Sequence, residues 1–313
     1  IRTVCKIIIL FVITEKMHDE TNAVVIRIQG DIAGKYVFLF FHSSTERVGY
    51  SSFYAPKVMI FDEIHLILQC YIIYKGSMSN PYFQFKRFTV WHDRCAMKVG
   101  TDGVLLGAWT DVSHAHHVLD VGTGTGLVAL MLAQRSDANF DAIDLDQDAC
   151  IQAESNTQAS PFIGRITVRC IPFENYTESC ETKYELIVSN PPYFVDSLKC
   201  PDKHRTAARH NDTLPLLQLL EGSHRLLTEE GTLALILPYD RKSELEFCMV
   251  KCGFSYRRLT EVITVEGSNP RRILVEIGMK RTEPKIDRLV IERPRGSYTP
   301  EFVQLMKEYY LKM

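Results

Sequence analysis

Val118-Leu119-Asp120-Val121-Gly122-Thr123-Gly124-Thr125-Gly126-Leu127 decides the fold. A short apolar strand, Val118–Val121, runs into glycines at alternate positions, and Leu127–Arg135 follows with helical spacing. Strand, glycine turn and helix in that order form the ligand-binding corner of a parallel α/β sheet. The glycines permit a tight turn and a close approach of backbone to ligand. Their spacing, GxGxG, differs from the GxGxxG that seats a dinucleotide pyrophosphate on a helix N-terminus.

Outward from this corner the elements alternate. Gly103–Trp109 reads as a helix, Phe140–Leu145 as a strand, Gln147–Gln158 as a helix and Ile166–Cys170 as a strand. Tyr184–Ser189 is a buried strand, Leu214–Leu227 a long helix, Gly231–Pro238 a strand and Ser243–Cys252 a helix. Tyr256–Val265 and Arg271–Met279 flank a short turn and read as an antiparallel hairpin at the edge. The result is a mostly parallel, seven-stranded sheet with helices on both faces. Ligands of such sheets sit at the carboxyl ends of the strands.

Asp144 ends the second of these strands, about 20 residues after the glycine loop, where a carboxylate can accept both hydroxyls of a ribose. Asp146 is the alternative, and Asp144 is preferred because it closes the apolar strand. Phe173, after the next strand, either covers an adenine ring or packs in the core.

The strand Leu186–Ser189 ends in Asn190-Pro191-Pro192-Tyr193. Successive prolines fix the backbone and remove two N–H donors. The Asn190 side-chain oxygen and the Pro191 carbonyl remain as acceptors, matched to the two hydrogens of a planar NH2 group. Accepting both hydrogens frees the nitrogen lone pair for attack, and Tyr193 offers a ring on which a base can stack.

These motifs resemble those of class I S-adenosylmethionine-dependent methyltransferases acting on amino groups, which implies a Rossmann-like sheet. That resemblance places Gly122, Gly124 and Gly126 beside the cofactor and directs Asp120 to its methionine end. Met97-Lys98-Val99-Gly100-Thr101-Asp102-Gly103-Val104-Leu105-Leu106-Gly107-Ala108-Trp109, Arg205–His210 and Tyr298-Thr299-Pro300 are similar to segments of the tRNA1(Val) adenine-N6 methyltransferases. Those enzymes modify the adenine immediately 3′ of the anticodon. The resemblance covers residues 78–313 and implies that Thr101, Asp102 and Gly103 lie against the cofactor. It further implies a tRNA partner, with no metal, no membrane and no obligate protein partner. Lys203, Arg205, Arg209 and His210, just past the catalytic turn, are placed to hold phosphates around a flipped-out base. A protein glutamine N5-methyltransferase and a ribosomal RNA guanine-N2 methyltransferase share the NPPY chemistry. The first usually carries a helical N-terminal domain, which residues 1–77 do not read as; against the second stands only the segment Lys98–Trp109. A protein that binds without catalysis is the remaining alternative, and the intact NPPY speaks against it.

The 313 residues are 46% apolar and 24% charged, as in an ordinary globular protein, which excludes a disordered or low-complexity chain. The 36 basic and 38 acidic residues give a net charge of −2, so nucleic acid must be bound through a local patch. A second basic stretch, Arg271 to Arg295, interleaves eight cations with four carboxylates. Tyr82, Phe83, Phe85 and Phe88 form an aromatic run read as core packing rather than base stacking. Nine cysteines form no CxxC pair and read as reduced cytoplasmic thiols.

Residues 1–77 differ from the remainder of the chain: apolar clusters at Ile7–Ile13, Tyr36–Phe41 and Ile64–Tyr74 lack a clean period. The apolar run near the start is far shorter than the roughly 20 residues of a membrane span. Lys75-Gly76-Ser77 before Met78 can be encoded by a purine run resembling a ribosome-binding site. The expectation is therefore a methyltransferase domain over 78–313, preceded by a segment translated from upstream of the gene start.

Overall fold

The computed structural model describes residues 80–95, 98–191 and 214–313, together with three strand segments before them. The chain divides into two compact units, Ile1–Met78 and Ser79–Met313. In the first, β1 (Val12–Ile13), β2 (Val24–Gln29) and β3 (Tyr36–Phe41) form an antiparallel sheet in that order. The apolar stretch 64–74 lies outside the described residues.

The second unit opens on a hairpin, β4 (Tyr82–Gln84) and β5 (Thr89–Trp91). The aromatic run packs as expected: Phe85 and Phe88 are buried and stack at 4.8 Å. There follow α1 (Thr101–Trp109), β6 (His117–Val121), α2 (Leu127–Ala133), β7 (Asn139–Asp144), α3 (Gln147–Gln158) and β8 (Ile166–Cys170). After these come α4 (Phe173–Ser179), β9 (Tyr184–Ser189), α5 (Leu216–Leu226), β10 (Leu227–Pro238) and α6 (Lys242–Cys252). The last elements are β11 (Ser255–Val265), β12 (Arg272–Gly278), β13 (Lys285–Glu292) and α7 (Pro300–Met306).

One sheet holds the unit together, in the order β13-β11-β12-β10-β9-β6-β7-β8. The pairings are parallel except β10 with β12 and β12 with β11. Helices cover both faces, so the inner strands are apolar runs rather than alternations. Leu186, Ile187 and Val188 of β9 and Leu233 to Leu237 of β10 are all buried. On one face α1, α2 and α7 contribute Leu105, Leu106, Leu130, Met131, Phe302 and Met306 to a common core. On the other, α4, α5 and α6 contribute Phe173, Leu219, Leu220, Leu245 and Met249. In α5, Leu216, Leu219, Leu220, Ser223 and Leu226 make the buried stripe, the spacing of one helix face.

Helix α1 is different. From Gly103 to Trp109 every residue is buried, so the helix is enclosed all round. A Cβ at Gly107 would stand 2.8 Å from Met131 Cβ, so glycine is what lets α1 and α2 approach this closely.

The seven expected strands are present, and the sheet has an eighth. Strand β13 adds in parallel to β11, so the β11–β12 hairpin lies one strand in from the edge rather than at it. The reason is legible in β13. An edge strand needs one buried face, and only Leu289 and Ile291 supply it. Lys285, Asp287, Arg288 and Glu292 make the same stretch read as a charged surface.

Candidate active site

The strand order reverses at β6. From there the chain builds β7 and β8 to one side, then returns to lay β9 and β10 on the other. The carboxyl ends of β6 and β9 therefore flank the topological switch point, where open α/β sheets bind ligands. The glycine loop follows β6, and Asn190-Pro191 follows β9. Ser189 Oγ donates to the Val121 carbonyl at 2.7 Å and ties the two strand ends together.

The loop holds its shape through its backbone. Gly122, Gly124 and Gly126 have φ of 70°, 56° and 80°, the left-handed region open to glycine. The amides of Gly122 and Thr123 both donate to the Ile143 carbonyl, at 2.9 and 3.0 Å. A Cβ at Gly122 or Gly124 would meet nothing within 4 Å, so the loop faces open space. That space, rimmed by backbone and carboxylate, suits the ribose and amino-acid parts of a nucleoside cofactor.

Three carboxylates surround the loop and their partners separate them. Asp144 Oδ2 accepts from the Gly124 amide at 2.8 Å and Oδ1 from the Asp146 amide at 3.0 Å. Burial raises its pKa above the ordinary value, against these two donors. A carboxylate has about four acceptor positions, so capacity for hydroxyl donors remains. Asp146 is exposed and caps α3, accepting from the Asp148 amide at 2.9 Å. Asp120 is 1% exposed. Its Oδ2 accepts from Thr123 Oγ1 at 2.7 Å and from the Ala129 amide at 3.2 Å, locking the loop to the first turn of α2. Burial pushes its carboxyl up to about 7, opposed by those hydrogen bonds.

Across the switch point, Asn190 is half-buried and Pro191 buried. A Cβ at Gly103 would lie 3.0 Å from Leu127 Cδ2 and 3.9 Å from Asn190 Nδ2. The first turn of α1, the start of α2 and the turn after β9 thus meet at Gly103. Thr101 is exposed at the head of α1. Asp102 pairs with Arg272 at 2.8 Å, fixing α1 to the rim end of β12.

Of the remaining expected residues, Phe173 is 7% exposed and belongs to the core. Its ring lies against α5, so that a Cβ at Gly222 would come within 2.4 Å of Phe173 Cε1. Pro192, Tyr193, Lys203, Arg205, Arg209 and His210 lie outside the described residues. Sequence reading missed two supports. Asn156 is fully buried: its Nδ2 donates to the carbonyls of Thr125 and Trp91, both at 2.9 Å, and its Oδ1 accepts from the Trp91 amide. Its signal was an asparagine well inside a helix, a poor helix former that needs a reason. Arg272 is the other, hidden within a run of surface cations. Among the described residues no group of His, Cys, Asp and Glu is arranged to hold a metal, and no helix is long and apolar enough to cross a membrane.

The family model of the methyltransferase small domain matches residues 97–249. A tRNA1(Val) (adenine(37)-N6)-methyltransferase of Parabacteroides distasonis is 52% identical over 237 residues, 75% of this chain and 100% of the relative. One of the same description from Trichodesmium erythraeum is 43% identical over 238 residues, again 75% of this chain and 100% of the relative. Among solved structures, a predicted O-methyltransferase from Agrobacterium tumefaciens has a TM-score of 0.54 at 17% identity, over 66% of this chain and 96% of that one. At that identity the likeness is one of fold.

Proposed function

The chain belongs to the tRNA1(Val) (adenine(37)-N6)-methyltransferase family, and from that premise we propose that it methylates the exocyclic N6 amine of an adenine in tRNA, the base beside the anticodon of tRNA1(Val). The observation that carries this reading is the placement of Asn190-Pro191 directly across the switch point from the glycine loop.

Bound S-adenosylmethionine would supply an electrophilic methyl group on a sulfonium. The protein's part is to hold and orient. Gly122, Gly124 and Gly126 give the cofactor its bed, and Asp144 accepts from ribose hydroxyls. Asp120, expected at the methionine end of the cofactor, is buried on Thr123 and the Ala129 amide, and in this reading it acts on that end through the shape of the loop. Gly103 and its neighbours Thr101 and Asp102 close the site from α1. The Asn190 side-chain oxygen and the Pro191 carbonyl accept the two amine hydrogens, aiming the nitrogen lone pair at the methyl carbon. Pro192 stiffens this turn, and Tyr193 stacks on the base. The amine proton leaves after transfer, so no strong general base is required. Lys203, Arg205, Arg209 and His210 hold phosphates around the extruded nucleotide. The activity resides in residues 78–313, in the cytoplasm where tRNA is found.

The test is transfer of labelled methyl from S-adenosylmethionine by the full chain and by Met78–Met313. Unmodified tRNA, ribosomal RNA and a protein extract are offered side by side. N6-methyladenosine in tRNA is the expected product. Label in ribosomal RNA or protein would refute the substrate, and label from the full chain alone would refute the domain assignment.

A further inference from the structure

The rim of the sheet at the site divides into two halves. The ends of β6, β7 and β8 carry the glycine loop, Asp144 and Phe173, and the amine-accepting turn follows β9. Beyond β9 the same rim continues through β10, β12, β11 and β13. Because β12 runs against its neighbours, Arg271 and Arg272 begin at this rim, whereas Lys280, Arg281 and Lys285 lie at the opposite end of the sheet. The basic stretch that is continuous in sequence is split by topology.

At the rim, the β11–β12 turn and the β13–α7 turn are joined by the Glu266 amide donating to the Glu292 carbonyl at 2.9 Å. Arg271, Arg293 and Arg295 are all exposed there. Arg272 pairs with Asp102 and Arg288 with Glu261. By contrast, no ion pair or side-chain hydrogen bond among the described residues engages the side chains of Arg271, Arg293 or Arg295. Two carboxylates lie among them, Glu266 exposed and Glu292 half-buried.

Arg295 carries a second signal. Its φ is 93°, and among the described residues no other non-glycine has a positive φ. The Gly296 amide closes the turn onto the Arg293 carbonyl at 3.1 Å. Pro294 and Arg295 are the central residues, a type II pattern whose second centre favours glycine. Such strain persists where a side chain is wanted at the site. Tyr298, 46% exposed, presents a ring just beyond it.

We infer that Arg271, Arg293 and Arg295 form a docking rail for the phosphodiester backbone of the substrate RNA. The inference rests on the RNA reading above and extends it. Unpaired guanidinium groups match phosphate oxygens in a bidentate fork. Strands are about 4.8 Å apart, so four steps place β13 about 19 Å from the end of β9. The β13 end of the rail therefore holds nucleotides distant from the reacting base, with Arg271 two strands from β9 on the nearer side, and the rail gives a chain of net charge −2 a local cationic surface.

The test uses the full chain with Arg271, Arg293 and Arg295 all changed to Ala, and tRNA transcript as substrate. KM for tRNA should rise about tenfold or more with kcat nearly unchanged and S-adenosylmethionine affinity unaltered by calorimetry. The slope of log affinity against log salt should flatten by about 2, near 0.7–0.9 for each phosphate no longer held. Lys280→Ala with Arg281→Ala, at the other end of the sheet, should change neither quantity. Arg295→Gly relieves the backbone strain, so tRNA binding should weaken while melting temperature holds or rises, which separates docking from folding. A triple variant with the KM and slope of a wild type that methylates tRNA would overturn the rail and leave the activity standing. An equal loss in the Lys280/Arg281 variant would reduce it to overall charge and overturn it too. A wild type that methylates no RNA would overturn the activity and the rail together.

Discussion

The Gly124 amide donates to Asp144 Oδ2 at 2.8 Å, so one carboxylate shapes the glycine loop and, in the function proposed above, also accepts from the cofactor ribose. Asp144→Ala removes both contributions. Hydrogen bonds to a charged group contribute about 1.5–3 kcal/mol, so S-adenosylmethionine affinity should fall roughly 10–100-fold by calorimetry. An unaltered affinity would move the ribose contact to another residue.

Asn190→Ala should lower kcat about 10²–10³-fold, the usual loss when one preorganised polar partner of a transition state is removed. Cofactor affinity and melting temperature should stay near wild type. A turnover close to wild type would remove Asn190 from the chemistry.

Gly222→Ala tests the packing of Phe173. The new methyl would lie 2.4 Å from Cε1 and 2.8 Å from Cζ of that ring, and 3.0 Å from Thr177 Oγ1. Overpacking of this kind costs about 1–3 kcal/mol, readable in denaturant midpoints. A neutral substitution would show that the ring moves freely away from α5.

Asp102→Ala and Arg272→Ala should each lower stability only slightly, with a coupling of roughly 0.2–1 kcal/mol in a double-mutant cycle, as for half-exposed ion pairs. Because the pair fixes the head of α1 beside Gly103, both variants should lose turnover by similar factors, and the double variant no more than either. Additive losses would mean that the two residues act separately.

Asp120 makes a pH prediction. Its carboxyl lies at about 7 in the folded chain, against 3.8 ordinarily. Between those values the folded state holds a proton that the unfolded state has released. The stability associated with Asp120 should therefore fall as pH rises from about 4 to 7. Asp120→Asn has no such titration, so wild type minus variant should decline across that window in chemical denaturation. A flat difference would show the carboxyl ionised throughout.

What the sequence made legible, and what it did not, has a physical basis. The glycine loop, Asp144 and the turn at Asn190 could be read because each sits where an apolar strand stops and the residue type changes abruptly. The preference for Asp144 over Asp146 followed from strand ends alone, and the structure engages Asp146 in capping α3. Strand β13 was missed because an edge strand buries only alternate residues, and its charges matched a surface pattern. Asn156 and Arg272 were hidden because their partners, Thr125 and Asp102, are distant in sequence and brought near only by the fold.

Tyr309 Oη donates to the Met131 carbonyl, 178 residues earlier, and the Lys86 amide donates to the Tyr309 carbonyl. Phe302 and Met306 fill the same core as α1 and α2. During synthesis, that layer stays uncovered until the ribosome has released the segment carrying α7. A nascent chain must therefore keep α1, a helix buried from Gly103 to Trp109, from sticking to itself or to neighbours for most of its elongation. A stop codon ahead of Phe302 would then yield a chain recognised by chaperones and proteases rather than a slower enzyme.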